Sequence, residues 1–278
     1  LRLRGNYGVA GNFPPPFAND RTVSFASYLG QQTAGFGQPG NVDLRPEKTH
    51  TLELGSEFQA LSGRMTLQVN WYDATTKDAL FLVPAPPSSG EGTQMRNVGE
   101  IANHGIEIQV VGDVVRRPGW TARVTAAYNT LNNEVVHSGG SPVFGISGFS
   151  SSTVQAVVQE GWPVGALRGT TSTLNADGSI ASTERLQYLG KPLPDRFGSL
   201  GLQLTFGSNL RLEAHADWQT GAQLHSFNRQ FRYLYGIGDP ELPPALLAAN
   251  PGPIRRNWLN LTNFFVEDTD YLRVRTIS

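Results

Sequence analysis

Side chains alternate between apolar and polar along many stretches of this chain, a period of two that extended strands show and helices do not. The clearest case is a pair of neighbouring segments, 200–206 and 210–218, in which every second residue is apolar. The same alternation recurs at 1–9, 51–58, 65–72, 106–110, 120–129 and 271–278. The pattern predicts an all-β, antiparallel fold of about eight strands.

The connections between these strands are alternately very short and very long. Three are tight and contain turn-forming residues: 60–63, 116–119 and 207–209. The long ones are rich in Gly, Pro, Ser and Asn and cover about 10–48, 81–102, 133–193 and 223–268. Compact soluble domains rarely contain repeated long loops, whereas outer-membrane barrels have short periplasmic turns and long extracellular loops. We therefore expect an up-and-down transmembrane β-barrel segment.

Aromatic residues lie near both ends of the apolar strand faces. If the tight turns are periplasmic, four fall toward the extracellular ends: Tyr7, Trp71, Tyr128 and Trp218. Three others fall beside the tight turns: Phe58, Trp120 and Phe206. Two such bands are typical of aromatic rings at the membrane interfaces. The alternative is that these rings end the strands of a soluble sandwich.

The opposite strand faces are polar. The segment 210–219 presents five successive polar positions, which are Arg211, Glu213, His215, Asp217 and Gln219, and Arg123 has the same character on another strand. Such a face requires water, either outside a soluble sheet or inside a wide lumen. A small barrel has an interior filled by side chains, so we predict that Arg123, Arg211, Glu213, His215 and Asp217 face the lumen of a larger barrel.

Composition excludes several classes of protein. The chain has no cysteine, which rules out a disulfide scaffold, cysteine-ligated zinc and a thiol nucleophile. Its net charge of -1 and its scattered basic residues give no indication of a nucleic-acid partner. No apolar run approaches the roughly 18–20 residues that a membrane helix needs.

Motifs that suggest catalysis or cofactor binding lack the required context. Residues 35–40 read Gly-Phe-Gly-Gln-Pro-Gly, which has the glycine spacing of a dinucleotide-binding loop. Such a loop must be followed by a helix, and Pro39 and the extended segment after it exclude one here. The five histidines show no metal-ligand spacing, and His215 with Asp217 has no serine partner in a nucleophile motif. We predict no enzyme activity, no cofactor and no metal.

Aromatic residues of the long connections are the candidates for ligand contact. They can stack on sugars or peptides, or they can pack the loops against each other, and the sequence leaves both open. A short helix is possible within 241–250. The ligand candidates are Phe149, Trp162, Tyr188, Phe227 and Tyr233.

Five phrases along the chain resemble TonB-dependent outer-membrane receptors of the SusC/RagA type. Two of them lie between 41 and 108: the first is Asn41-Val-Asp-Leu-Arg-Pro-Glu-Lys-Thr-His-Thr-Leu-Glu-Leu-Gly55 together with Trp71-Tyr-Asp-Ala-Thr-Thr-Lys-Asp78, and the second is Asn97-Val-Gly-Glu-Ile-Ala-Asn-His-Gly-Ile-Glu-Ile108. The others are segments 3–12, 190–199 and 265–275. The segments 133–187 and 223–257 contain no phrase that we can place in that family.

This resemblance implies a plugged barrel of about 22 strands, of which residues 1–278 form a later part without the plug and the final strands. It also implies energised import of bulky nutrients, oligosaccharides or peptides, across the bacterial outer membrane. The expected partners are the lipid bilayer, the TonB complex, a SusD-like surface lipoprotein and the nutrient itself. The alternatives are a siderophore-type TonB receptor and a secreted all-β glycan-binding module.

Overall fold

A computed structural model describes the chain at residues 1–148, 154–208, 210–237, 242–249 and 256–278. Within these residues no helix is long and apolar enough to cross a membrane. Two helices, α1 (Phe227–Leu234) and α2 (Pro244–Ala249), accompany 3₁₀ turns at Pro87–Ser89, Arg256–Asn260 and Thr262–Phe265. The strands are β1 (Arg2–Asn12), β2 (Val23–Tyr28), β3 (Gln31–Phe36), β4 (Glu47–Ala60), β5 (Met65–Lys77), β6 (Leu80–Pro84), β7 (Thr93–Asn97), β8 (Glu100–Arg117), β9 (Trp120–Thr130), β10 (Asn132–His137), β11 (Phe144–Gly148), β12 (Val154–Val158), β13 (Ala166–Leu174), β14 (Ile180–Gly190), β15 (Arg196–Phe206), β16 (Leu210–Thr220), β17 (Gln223–His225), β18 (Val266–Asp268) and β19 (Tyr271–Ile277).

One large antiparallel sheet contains the predicted alternating strands. Its order is β1-β4-β5-β8-β9-β15-β16-β19, and β10 pairs with the first part of β8 beside β9. Each long strand therefore pairs with the next long strand along the chain, which confirms the up-and-down arrangement. The path has two ends, β1 and β19, so the sheet is open. We call this sheet the wall; because its strands form one sheet and not two packed ones, the sandwich alternative is wrong.

The three tight connections of the wall are formed by residues with positive φ. Leu61, Ser62 and Gly63 have φ values of 54°, 56° and 80°, while Gly119 and Gly207 have 88° and 58°. This backbone conformation matches the twist of antiparallel strands, which makes a close reversal possible. The tight turns thus lie where the sequence predicts them.

The long connections contain secondary structure of their own. They include the hairpins β2–β3 and β6–β7, the four-stranded sheet β11-β12-β13-β14, the short pair β17–β18 and both helices. The sequence predicted only one of these elements, a short helix within 241–250, and α2 lies there.

The buried apolar side chains lie mainly in the long connections. One cluster joins Val83, Val98, Val135, Phe144 and Val158, and a second joins Tyr233, Leu242, Leu246, Leu261 and Phe265. The apolar residues of the wall are far more accessible, and Leu200 is 53% exposed. The wall therefore presents an apolar face that no other described part of the chain covers.

Candidate functional site

The polar residues predicted to face a lumen share one face of the wall. Strand register places Arg123 opposite Gln203 and Gln203 opposite Glu213, in one row across β9, β15 and β16. Arg211, His215 and Asp217 alternate with apolar residues along β16, on the same face as Glu213. The structure therefore brings all five predicted residues together on one side, which we call the polar face.

Three arginines of the polar face are paired with carboxylates. Arg123 Nε donates to Asp113 Oδ1 at 2.8 Å, Arg211 contacts Glu213, and Arg275 Nη2 donates to Asp217 Oδ2 at 2.8 Å. About half or more of each of the three arginine side chains is exposed. Exposed ion pairs of this kind contribute only about 0–1 kcal/mol to stability. Their main consequence is a hydrated surface that carries both signs of charge.

A second polar cluster crosses β1, β4, β5 and β8. Arg4 Nη2 donates to Asn70 Oδ1 at 2.6 Å, and Asn70 Nδ2 lies 3.5 Å from Glu107 Oε2. The Tyr72 hydroxyl crosses β8 and donates to the Thr130 carbonyl at 3.3 Å. Gly105 of β8 permits this crossing, because a Cβ there would lie only 2.8 Å from the Tyr72 hydroxyl oxygen. Carboxylate, amide and hydroxyl groups together line an open cavity of about 200 Å³, formed by Thr51, Glu53, Asn70, Tyr72 and Glu107.

The seven aromatic residues predicted at membrane interfaces all lie on the opposite, apolar face. Register connects Tyr7 with Leu52 and Leu54 with Trp71, and it sets Phe58 opposite Leu67. Trp120 and Phe206 stack beside two tight turns, with ring centroids 6.0 Å apart. At the other end, Tyr128 and Trp218 approach to 5.8 Å across β15. Their placement at the interfaces of a membrane remains a prediction.

A glycine makes the second aromatic pair possible. Gly198 lies between Tyr128 and Trp218 in the strand register. A Cβ at this position would lie 3.0 Å from the Trp218 ring and would overlap the carbonyl oxygen of Ala127. The missing side chain lets the indole lie over β15 and reach the tyrosine on β9.

Two polar residues tie the long connections together: Glu47, the first residue of β4, and Asn97, the last residue of β7. The sequence contains no separate signal for either. Asn97 Nδ2 donates to the carbonyls of Arg45 and Asp78 at 2.8 Å, and Asn97 Oδ1 accepts from the Arg45 amide at 2.8 Å. Glu47 accepts from Asn12 Nδ2 and from the Leu80 amide at 2.8 and 2.9 Å. Asn97 therefore joins the three segments, 41–55, 71–78 and 97–108, that carry the family resemblance in this part of the chain.

Residues 1–183 match the profile of the family described as "TonB dependent receptor-like, beta-barrel". The chain belongs to this family. The β-barrels of TonB-dependent receptors lie in the outer membrane, and these receptors are transporters and not enzymes. The SusC/RagA-type resemblance and the prediction that the chain is not an enzyme are confirmed.

Several individual TonB-dependent receptors resemble the chain. TonB-dependent receptor P26 of Formosa agariphila is 26% identical over an alignment that covers the whole chain and 32% of that receptor. SusC of Bacteroides thetaiotaomicron is 35% identical over 71 residues, which are 25% of the chain and 7% of SusC. The structure of the RagAB peptide transporter superposes with a TM-score of 0.73 at 19% identity, over 99% of the chain and 33% of that transporter chain. The chain thus spans about a third of the length of receptor P26 and of the RagAB transporter chain.

Two of the loop aromatics meet in this TonB-dependent receptor chain. Trp162 and Tyr188 make an edge-to-face contact with ring centroids 5.2 Å apart, and Tyr188 is 44% exposed. Partial burial, with a smaller contribution from the nearby carboxylate of Asp195, raises the pKa of the Tyr188 hydroxyl. This hydroxyl is therefore neutral near pH 7 and can donate a hydrogen bond.

The other loop candidates differ in accessibility. Tyr233 is fully buried and its hydroxyl donates to Asn257 at 2.9 Å, so it has no surface that a ligand could contact. This corrects its prediction as a ligand-binding residue, since its ring belongs to the apolar core of the connection. Phe227 is half-buried, and its ring meets the imidazole of His225 at 4.5 Å. Phe149 lies outside the described residues.

His225 is a residue that the sequence did not single out. Both of its ring nitrogens are buried without a hydrogen-bond partner in the described part of the chain. Its ring lies in T-shaped contact with Phe227 and Phe265. Burial lowers the pKa of His225 to about 4, although the nearby Glu267 carboxylate acts in the opposite direction. The imidazole is therefore neutral near pH 7.

Proposed function

We propose that the chain forms part of the barrel wall of a TonB-dependent outer-membrane transporter that imports a bulky nutrient, an oligosaccharide or a peptide. In this proposal the polar face lines the lumen and the apolar face contacts lipid. The tight turns lie on the periplasmic side, and the long connections are extracellular. A TonB complex supplies the energy and a SusD-like surface lipoprotein assists capture.

The separation of the wall into two unlike faces is the observation that carries this proposal. One face has paired charges in contact with water, and the other has aliphatic side chains between two sets of aromatic rings. From Trp120 to Tyr128 is eight steps along β9, about 26 Å of strand, or roughly 20 Å of height at a tilt near 40°. That height is close to the apolar band of outer-membrane barrels.

The extracellular connections supply a candidate contact for the nutrient. Trp162 and Tyr188 form an aromatic corner with one exposed ring and a neutral hydroxyl. Aromatic faces stack on sugar rings and on peptide side chains, while the hydroxyl gives a directional hydrogen bond. The RagAB structure is that of a peptide transporter, which favours testing peptides alongside oligosaccharides.

The direct test of the wall uses two residues of β15 that lie on opposite faces. Leu204→Arg in the full-length receptor places a charge on the lipid-facing side and should lower the free energy of unfolding in lipid vesicles by about 2–4 kcal/mol. Ser199→Arg adds the same charge to the polar face, opposite Asp217 and Ala127, and should change the free energy of unfolding by less than about 0.5 kcal/mol. Equal effects of the two variants in a urea titration would contradict the proposed orientation of the wall.

The substrate class is tested by uptake. A strain that lacks the full-length receptor is complemented with it and supplied with oligosaccharides, peptides or iron–siderophore complexes as the limiting nutrient. Receptor-dependent growth on oligosaccharides or peptides is the expected result. Growth restored by siderophores alone would replace the proposal with the siderophore-type alternative.

A further inference from the structure

Two lysines face each other at the extracellular end of the apolar face. Strand register places Lys48 of β4 directly opposite Lys77 of β5. Both residues alternate in phase with the apolar positions of their strands, such as Leu54 and Trp71, and both side chains are exposed. Like charges directly opposite each other in an antiparallel pair are destabilising. This pair therefore needs a compensating negative charge.

Two carboxylates of the same face lie nearby, Asp73 on β5 and Glu100 on β8, but neither forms an ion pair with these lysines among the described residues. In the described part of the chain, neither lysine makes a hydrogen bond or an ion pair. Glu100 lies opposite Lys77 on its other side. On the far side of Lys48, the β1 residue is Gly11, where a Cβ would meet only the Glu47 carbonyl at 3.8 Å. The two ammonium groups are thus open to a ligand from the β1 side.

The position of the pair relative to the aromatic residues indicates which ligand can reach it. Lys77 lies six residues beyond Trp71 along β5, about 20 Å of strand and roughly 15 Å of height. Between these levels, the Tyr7 hydroxyl and His50 Nδ1 form a hydrogen bond of 2.8 Å on the same face. A lysine side chain is long enough to lower its ammonium group toward a membrane interface. The pair therefore lies in the polar layer above the hydrocarbon of the outer leaflet.

We propose that Lys48 and Lys77 bind a phosphate group of an anionic, phosphorylated glycolipid in the outer leaflet. The phosphate lies between the two ammonium groups and removes their repulsion, and the sugars cover the open side at Gly11. The inference rests on the proposed function, since the apolar face must contact lipid. A lipid is favoured over a soluble anion because the lysines stand on the lipid-facing side and not on the polar face.

The test uses the full-length receptor in three preparations of vesicles. One contains phosphatidylcholine alone, the second also contains lipopolysaccharide, and the third contains phosphatidylcholine with inorganic phosphate in solution. The receptors compared are the wild type, the double variant K48Q/K77Q and the control R96Q/R185Q. The control loses the same charge from exposed arginines of the long connections. The measurements are the thermal midpoint and the amount of glycolipid bound.

Lipopolysaccharide should raise the midpoint of the wild type and of the control but not of K48Q/K77Q. In phosphatidylcholine the order should reverse, with K48Q/K77Q at least as stable as the wild type, because the repulsion is gone. Each lysine near an anionic lipid contributes about a fivefold factor, so binding of the glycolipid should weaken roughly 25-fold.

Equal glycolipid binding by K48Q/K77Q and the wild type would overturn the site, and so would a stabilisation that inorganic phosphate reproduces alone. These failures are distinguishable from failure of the proposed function. If only the lipid site is wrong, Leu204→Arg still destabilises the receptor. If the apolar face does not contact lipid, Leu204→Arg does not destabilise the receptor and K48Q/K77Q does not change glycolipid binding.

Discussion

At the scale of single residues, Gly198 shows how one missing side chain organises a pair of aromatic rings. Gly198→Ala places a methyl group against the Trp218 ring and the Ala127 carbonyl oxygen. We expect a loss of about 1–3 kcal/mol in the free energy of unfolding, together with a change in tryptophan fluorescence.

Gly8→Ala is the matched control for this variant. Gly8 also lies in a wall strand, but a Cβ there would meet no atom within 4 Å. It should change stability by less than about 0.5 kcal/mol. If both variants lose the same free energy of unfolding, the effect of Gly198→Ala comes from a general change in strand stability. It would then not come from a clash with the Trp218 ring.

His225 gives one loop a dependence on pH. Its pKa in the folded chain, about 4, lies below its ordinary value of 6.5 because burial disfavours the charged form. Between pH 6.5 and 4 the unfolded chain binds a proton at His225 and the folded chain does not. The stability that is fully present above pH 6.5 is therefore lost as pH falls toward 4. The protection factors of the amides in the β17–β18 pair, which correct for the slower chemical exchange at low pH, should therefore fall over this interval.

His225→Phe preserves an aromatic ring in the same contacts and should remove most of this dependence. His137→Phe is the control, since the His137 side chain is 65% exposed. The role of His225 is refuted if the amides of β17 and β18 open with the same pH profile in the wild type and in His225→Phe.

At the scale of elements, the wall strands and the long connections differ in how far the sequence predicts them. Wall strands such as β15 and β16 have strict alternation and a Gly-containing turn between them, so their local pattern defines them. Helix α1 has no comparable local signal. Its Tyr233 is buried against Leu261 and Phe265, which follow much later in the chain. Contacts between distant residues determine this element, and one sequence does not reveal them.

Phe265 tests whether the connection after β16 is a folded unit. Its side chain is fully buried, and Phe265→Ala should remove about 3–5 kcal/mol from that unit. Hydrogen exchange in α1 should become faster while β15 and β16 retain their protection. Leu224→Ala, at a residue that is 45% exposed, is the control. Loss of protection throughout the wall would show instead that the two parts unfold together.

At the scale of the whole molecule, the wall, the tight turns and both strand faces follow from the sequence, and the sites above the wall largely do not. Asn97 lies in a segment that resembles the TonB-dependent receptor family, but this resemblance did not predict its role. Its three hydrogen bonds are made with backbone groups of Arg45 and Asp78. Backbone groups have the same chemistry in every residue, so no side-chain pattern marks them as partners. For the same reason, the sequence does not predict that Glu47 accepts a hydrogen bond from the Leu80 amide.

Asn97→Ala should therefore affect parts of the molecule that are distant in sequence. We expect a loss of about 1–3 kcal/mol and faster protease cleavage in both long connections that it joins. Asn19→Ala, at an exposed residue without a side-chain hydrogen bond among the described residues, is the control. Cleavage accelerated in only one connection would mean that Asn97 does not couple the two.

The hydrogen bond from the Leu131 amide to the Asp195 carbonyl, 3.0 Å long, brings together the two ends of the connection between β9 and β15. Bringing the ends of a flexible loop together costs conformational entropy that grows with loop length. When the insertion itself folds with its ends adjacent, this entropy is lost in that step and not again when the flanking strands pair. The folded insertion therefore connects β9 to β15 over a distance as short as that of a hairpin turn. Strand pairing during assembly can proceed from neighbour to neighbour, and the insertion can vary in length without slowing it.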